Sequence, residues 1–224
     1  MQMKKLKVTG VFLFLLVTTE LLAQTTLPPF WDDTQNFKKQ DSIKFPSKNQ
    51  ILFVGSSSFT MWTDVHNYFP GQKIINRGFG GSSLPDVIRY ADKIIFPYHP
   101  KQIVIYCGEN DLAASDTVTA QMVFNRFKKL FVLIRKRLPS VPIVFVSLKP
   151  SPSRVHLMPK MTAANIMIKN YLSKNKRTGF VDVYHKMLKP NGKPMDDIFL
   201  EDKLHMTAEG YKIWQKAIKP YLKK

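Results

Sequence analysis

The chain predicts an α/β fold, a five-stranded parallel sheet with helices on both of its faces. Three observations lead there. Five short runs are apolar along their length and rich in β-branched residues, as strands buried on both faces are. Segments in which apolar residues recur every three or four positions lie between them. The two kinds of signal alternate along the chain, and no internal repeat, low-complexity tract or second domain interrupts them.

The first strand, Ile51-Leu52-Phe53-Val54, is stopped by Gly55. Lys73-Ile74-Ile75-Asn76 is a weaker second run, and Ile103-Val104-Ile105-Tyr106, before Cys107-Gly108, is the third. Ile143–Ser147 and Phe180–Val183 complete the sheet. Leu84–Phe96 reads as a helix. Thr117–Leu138 is the clearest one, because Val123, Phe127, Leu130, Phe131, Ile134 and Leu138 fall on one side of it. Thr162–Lys174 is another. Thr207–Leu222 closes the chain, with Thr207 as N-cap and Tyr211, Trp214, Ile218 and Leu222 as its buried stripe. Residues 24–49, with Pro28, Pro29 and Pro46, read as an irregular lead-in holding a short helix around Asp32–Lys39.

Composition narrows the classes. The 224 residues have a 44% hydrophobic share and 12% aromatics, which excludes a disordered chain. The single cysteine, Cys107, excludes a disulfide scaffold within the chain and a cysteine-rich zinc site. Cys107 itself reads as a small buried hydrophobe. Lys4, Lys5 and Lys7 precede the short apolar run Val8–Val17, and Leu21-Leu22-Ala23-Gln24 follows. This is the layout of a signal peptide over residues 1–23, cut near Ala23, and it predicts a periplasmic or secreted protein. The domain proper is then residues 50–224.

The net charge of +18 raises nucleic acid as a partner. The lysines and arginines, however, are scattered and mostly sit opposite the apolar helix stripes. Together with export, that excludes nucleic acid and leaves a weak attraction to anionic envelope polymers or lipid surfaces. The oligomeric state is not legible.

Parallel sheets bind ligands beyond the carboxyl ends of their strands, so the residues placed there matter most. They are Gly55-Ser56-Ser57-Ser58 after the first strand, Asn76-Arg77-Gly78-Phe79-Gly80-Gly81-Ser82 after the second and Gly108-Glu109-Asn110-Asp111 after the third. Asp202-Lys203-Leu204-His205 comes before the last helix. Together these fragments hold the parts of an acyl-transfer site. A serine hydroxyl needs a base to take its proton, and histidine has the pKa for it. A carboxylate three residues away can hold the imidazole in one tautomer. A glycine lets a backbone N–H approach a developing oxyanion, and an asparagine adds an amide N–H. By its spacing from Gly55, Ser57 is the expected nucleophile, with Ser56 and Ser58 as alternatives.

These blocks resemble the SGNH (GDSL-like) hydrolase superfamily over roughly Ile51 to Leu222. The resemblance implies a flavodoxin-like three-layer α/β/α sandwich and no metal or organic cofactor. It implies Ser57 as nucleophile, His205 as base and Asp202 as its orienter. It also implies an oxyanion hole made by the N–H groups of Ser57 and Gly81 and the side chain of Asn110. The family's Gly-Asp-Ser start is here Gly55-Ser56-Ser57, so a serine replaces the aspartate. The lipase elbow Gly-x-Ser-x-Gly is absent, because Phe59 stands at its last position.

The expected function is an exported serine esterase or acylhydrolase acting on an acetyl or short acyl ester of a carbohydrate, or on a lipid ester. The alternative is a non-catalytic glycan- or lipid-binding module on the same fold. Trp62 and Arg154 are the candidate substrate contacts. For Trp62 the competing role is core packing. For Arg154, in the loop Lys149–Arg154 after the fourth strand, it is an ordinary surface loop. His66, His99, His156 and His185 are assigned to surface or loops, without a strand-end Asp-x-x-His block. Asp111 is assigned a structural role. No third ligand accompanies Asp202 and His205, so no metal site is expected.

Overall fold

Side chains alternate across a strand, and in this sheet both sides are covered. Leu52, Val54, Ile103, Ile105, Ile143 and Phe145 enter one core; Ile51, Phe53, Val104, Tyr106, Val144 and Val146 enter the other. That double burial is why the strands read as unbroken apolar runs. The computed structural model describes residues 27–223. The expected signal peptide, with its cut near Ala23, lies outside the described residues.

The chain runs α1 (Trp31–Ile43), β1 (Ile51–Gly55), α2 (Ser57–Thr60), α3 (Val65–Tyr68), β2 (Ile74–Gly78), α4 (Leu84–Arg89), α5 (Ala91–Ile94) and β3 (Gln102–Tyr106). It continues with α6 (Glu109–Ala113), α7 (Ala120–Arg137), β4 (Ile143–Val146), α8 (Met158–Ser173), β5 (Thr178–Val181) and α9 (Ala208–Ile218). The five strands lie in the order β2-β1-β3-β4-β5 and every neighbouring pair is parallel. This is the flavodoxin-like order, whose reversal point lies between β1 and β3. Residues of α4, α5, α7 and α8 fill the first core, while α2, α3 and α9 fill the second. The result is a three-layer α/β/α sandwich.

Several expected elements shift. The helix expected over 84–96 is broken into α4, α5 and a 3-10 turn at Phe96–Tyr98. Pro97 lies in that turn, where it ends the run of α-helical hydrogen bonds. The helix expected from Thr162 starts at Met158, with Pro159 in its first turn, where the missing N–H has no intrahelical partner to lose. Thr119 accepts the N–H of Met122 and caps α7. Thr207 stands at the N-cap of α9, yet its hydroxyl has no partner among the described residues. The lead-in carries a 13-residue helix, longer than expected, and it is docked. Asp41 of α1 accepts from Arg77 Nη2 at 2.5 Å and from Tyr98 Oη at 2.6 Å. The Arg77 guanidinium also lies over the rings of Phe37 and Tyr98.

Candidate active site

Three strand ends and one loop build the site. At the end of β1, Gly55 has φ 148, and a Cβ there would lie 1.8 Å from the Tyr106 carbonyl oxygen. Only glycine lets β1 leave the sheet so close to β3. Ser56 is then extended at the N-cap, and Ser57 opens α2. Ser56 and Ser58 are each 3% exposed, whereas Ser57 is half-buried. Of the three serines, Ser57 is the one that presents its hydroxyl. Tyr211 of α9 donates to the Ser58 carbonyl at 2.9 Å and ties that helix to the turn.

His205 reaches this hydroxyl from 148 residues away: its Nε2 lies 2.9 Å from Ser57 Oγ. Its Nδ1 lies 2.5 Å from Asp202 Oδ2. The other carboxylate oxygen, Oδ1, accepts the backbone N–H groups of Leu204 and His205, each at 2.9 Å. Burial acts to raise the Asp202 pKa, but these N–H groups and the imidazole outweigh it and hold it at about 2. An ionised carboxylate on Nδ1 fixes that nitrogen as the protonated one, leaving Nε2 to accept from Ser57. The loop bends through Lys203, at φ 56, and the Lys203 carbonyl accepts from both Ser153 N–H and Ser153 Oγ.

Gly81 adopts φ 79, a left-handed conformation that favours glycine, and Phe30 of the lead-in stands 3.6 Å from where its Cβ would be. Asn110, in α6, donates from Nδ2 to the Ser82 carbonyl at 3.0 Å. This joins the turn after β2 to the end of β3. Asp111 accepts the Leu84 N–H at 2.9 Å and Arg126 Nη1 at 2.8 Å, the structural role expected of it.

A charged cluster lies behind Asn110, and the sequence reading missed most of it. Glu109 is buried and accepts from Tyr106 Oη, from Lys149 Nζ (3.1 and 3.2 Å) and from Arg154 Nη1 (2.9 Å). Burial acts to raise the Glu109 pKa, and the two cations outweigh it. Burial lowers the Lys149 pKa, against the opposing pull of Glu109. The available signal was a charged residue three positions after each of two adjacent apolar strands, Glu109 after β3 and Lys149 after β4.

Three expectations are corrected. Arg154 is no ordinary surface residue, since its guanidinium holds Glu109 and, through Nη1 and Nη2 at 3.1 Å each, the Oδ1 of Asn110. Trp62 lines no open pocket: it is 0% exposed, stacked on Tyr211 at 4.7 Å and packed by Phe53 and Trp214. Tyr211 and Trp214 of α9 cover its ring and keep that apolar area out of water. His185 does have a strand-end carboxylate: Asp182 follows β5, and its Oδ2 lies 2.7 Å from His185 Nδ1. Among the described residues, no group of three or more His, Cys, Asp or Glu is placed to hold a metal ion.

The line from Ser57 through His205 to Asp202 is arranged to draw a proton from the serine hydroxyl. Its scaffold is widely shared. A proposed platelet activating factor from Streptococcus pneumoniae superposes with a TM-score of 0.75 at 20% identity, covering 86% of this chain and 92% of that one. A GDSL-like lipase from Bacteroides thetaiotaomicron VPI-5482 gives 0.71 at 22% identity, over 84% and 96%. An acetylxylan esterase from Geobacillus stearothermophilus, solved as a catalytic mutant, gives 0.59 at 15% identity, over 79% and 95%. At these identities the likeness is one of fold. No curated protein sequence matches the chain. The model of the GDSL-like Lipase/Acylhydrolase family matches residues 53–213, from the middle of β1 into α9. With that span covering most of the sheet and every strand end described above, the chain belongs to the GDSL-like lipase/acylhydrolase family.

Proposed function

We propose that the protein is an exported serine esterase that cleaves a short acyl ester through an acyl-enzyme. The observation that carries this reading is the unbroken line of contacts from Ser57 Oγ to His205 Nε2 and from His205 Nδ1 to Asp202. As Ser57 attacks the ester carbonyl, His205 takes its proton and Asp202 steadies the imidazolium. The tetrahedral oxyanion is met by the N–H groups of Ser57 and Gly81 and by Asn110 Nδ2. Its collapse expels the alcohol, protonated by His205. A water activated by the same imidazole then releases the acid and restores Ser57.

The acetylxylan esterase among the structural neighbours makes acetylated carbohydrate the first substrate to try. Export is supported by the basic start and apolar run at the N-terminus, and the net charge of +18 favours contact with anionic envelope surfaces. Wild-type protein is expected to turn over p-nitrophenyl acetate and to be labelled at Ser57 by a fluorophosphonate. Ser57→Ala is expected to abolish both while melting at the same temperature. Full activity in Ser57→Ala, or a wild type that takes no label, overturns the proposal, and the second outcome favours a binding module.

A further inference from the structure

Asn110 is asked to aim one small amide, and an amide can point either way. Its orientation here is set from both ends. Oδ1 accepts Nη1 and Nη2 of Arg154, each at 3.1 Å, and Nδ2 donates to the Ser82 carbonyl at 3.0 Å. A guanidinium has no acceptor, so it can face only the oxygen of the amide. Swapping the two amide atoms would set N–H against N–H at Arg154 and oxygen against oxygen at Ser82. Arg154 is itself fixed, because Nη1 also binds Glu109, which Lys149 and Tyr106 hold from other sides. The Arg154 side chain is 17% exposed, so little of it is free to meet a substrate.

We infer that Arg154 is a positioning residue for the oxyanion hole, acting through Asn110 rather than by touching the substrate. Two effects follow from the contacts. The fork fixes the amide so that its second Nδ2–H, without an acceptor among the described residues, is available to the oxyanion. It also draws electron density towards Oδ1, which strengthens the donor at the other end of the amide. Both effects act most strongly in the transition state, so they raise kcat more than they lower KM.

The inference rests on the triad reading, and a double-mutant cycle on a neutral ester tests it separately. Asn110→Ala is expected to lower kcat roughly 10²–10³-fold. Arg154→Ala is expected to lower kcat about 10- to 100-fold with KM within about 2-fold, being part of the same donor's contribution. The combined variant is expected to be no slower than Asn110→Ala alone. Arg154→Lys keeps the charge beside Glu109 but loses the fork, and should recover part of the rate. It also serves if Arg154→Ala does not fold. Multiplying losses in the cycle, a KM that rises with kcat unchanged, or full activity in Arg154→Lys would each overturn the inference. Fluorophosphonate labelling of Ser57 in the wild type that is lost in His205→Ala shows that the triad reading survives such a failure.

Discussion

The molecule contains the same four-residue device twice, and among the described residues a hydroxyl meets the imidazole at only one of them. Asp202-x-x-His205 and Asp182-x-x-His185 share their spacing and their internal contacts. In each, the histidine N–H bonds to one carboxylate oxygen, at 2.9 and 3.1 Å, while Nδ1 lies against the other, at 2.5 and 2.7 Å. The surroundings differ. The His205 side chain is 20% exposed and its outer nitrogen meets Ser57. The His185 side chain is 72% exposed and rests edge-on against Tyr184. The hydroxyl on the same side of the sheet, Ser147 Oγ, is buried and accepts the N–H groups of Val183 and Tyr184. A local motif can orient an imidazole. Only the fold, through the turn after β1, brings a hydroxyl to it.

The largest expected contrast is between the histidines. His205→Ala should lower kcat on p-nitrophenyl acetate by on the order of 10⁴–10⁶, whereas His185→Ala should leave it within about 2-fold. A comparable loss in His185→Ala would end the distinction between the two pairs. The carboxylates should separate next. Asp202→Asn is expected to cost roughly 10²–10⁴ in kcat, since the amide favours the wrong tautomer, and Asp182→Asn almost nothing. Equal rates in the two variants would mean that Asp202 does not orient His205.

The smallest effect is one of pH. The Asp202 carboxyl is held at about 2, below its ordinary 3.8. It therefore favours the folded state above about pH 4, and that contribution is lost as pH falls through about 2. The melting temperature of the wild type should exceed that of Asp202→Asn at pH 5, and the gap should narrow towards pH 2. A gap that is constant with pH would show that the carboxylate gains nothing from its N–H donors. Because Asp202 is half exposed, the gap should be modest.

What could be read beforehand follows from how locally each feature is encoded. Double burial writes itself into β1, β3 and β4 as apolar runs, and the stripe of α7 survives almost intact, from Val123 to Ile134. The site blocks were legible because each is short and sits at a strand end. Long-range partners were not. Trp62, five residues from Ser57, reads either as a substrate contact or as core, and what decides for the core is Tyr211 and Trp214, on a helix about 150 positions later. Helix α1 carries a largely polar sequence and docks through Asp41, whose partners Arg77 and Tyr98 give no hint of it. Glu109 meets Lys149 and Arg154 across 40 and 45 residues, beyond any spacing rule. The second pair is the opposite case, since Asp182 and His185 lie three residues apart just after β5 and their contact is legible from spacing alone.

Cys107 has a practical consequence. It is the chain's only thiol, it is fully buried, and burial pushes its pKa well above the ordinary value, with Sγ 3.6 Å from the Ser82 carbonyl. Maleimide dyes should leave it untouched in the native protein. A cysteine introduced on an exposed position near the serine would then be the sole attachment point for a fluorescent or spin reporter, with no background to remove first.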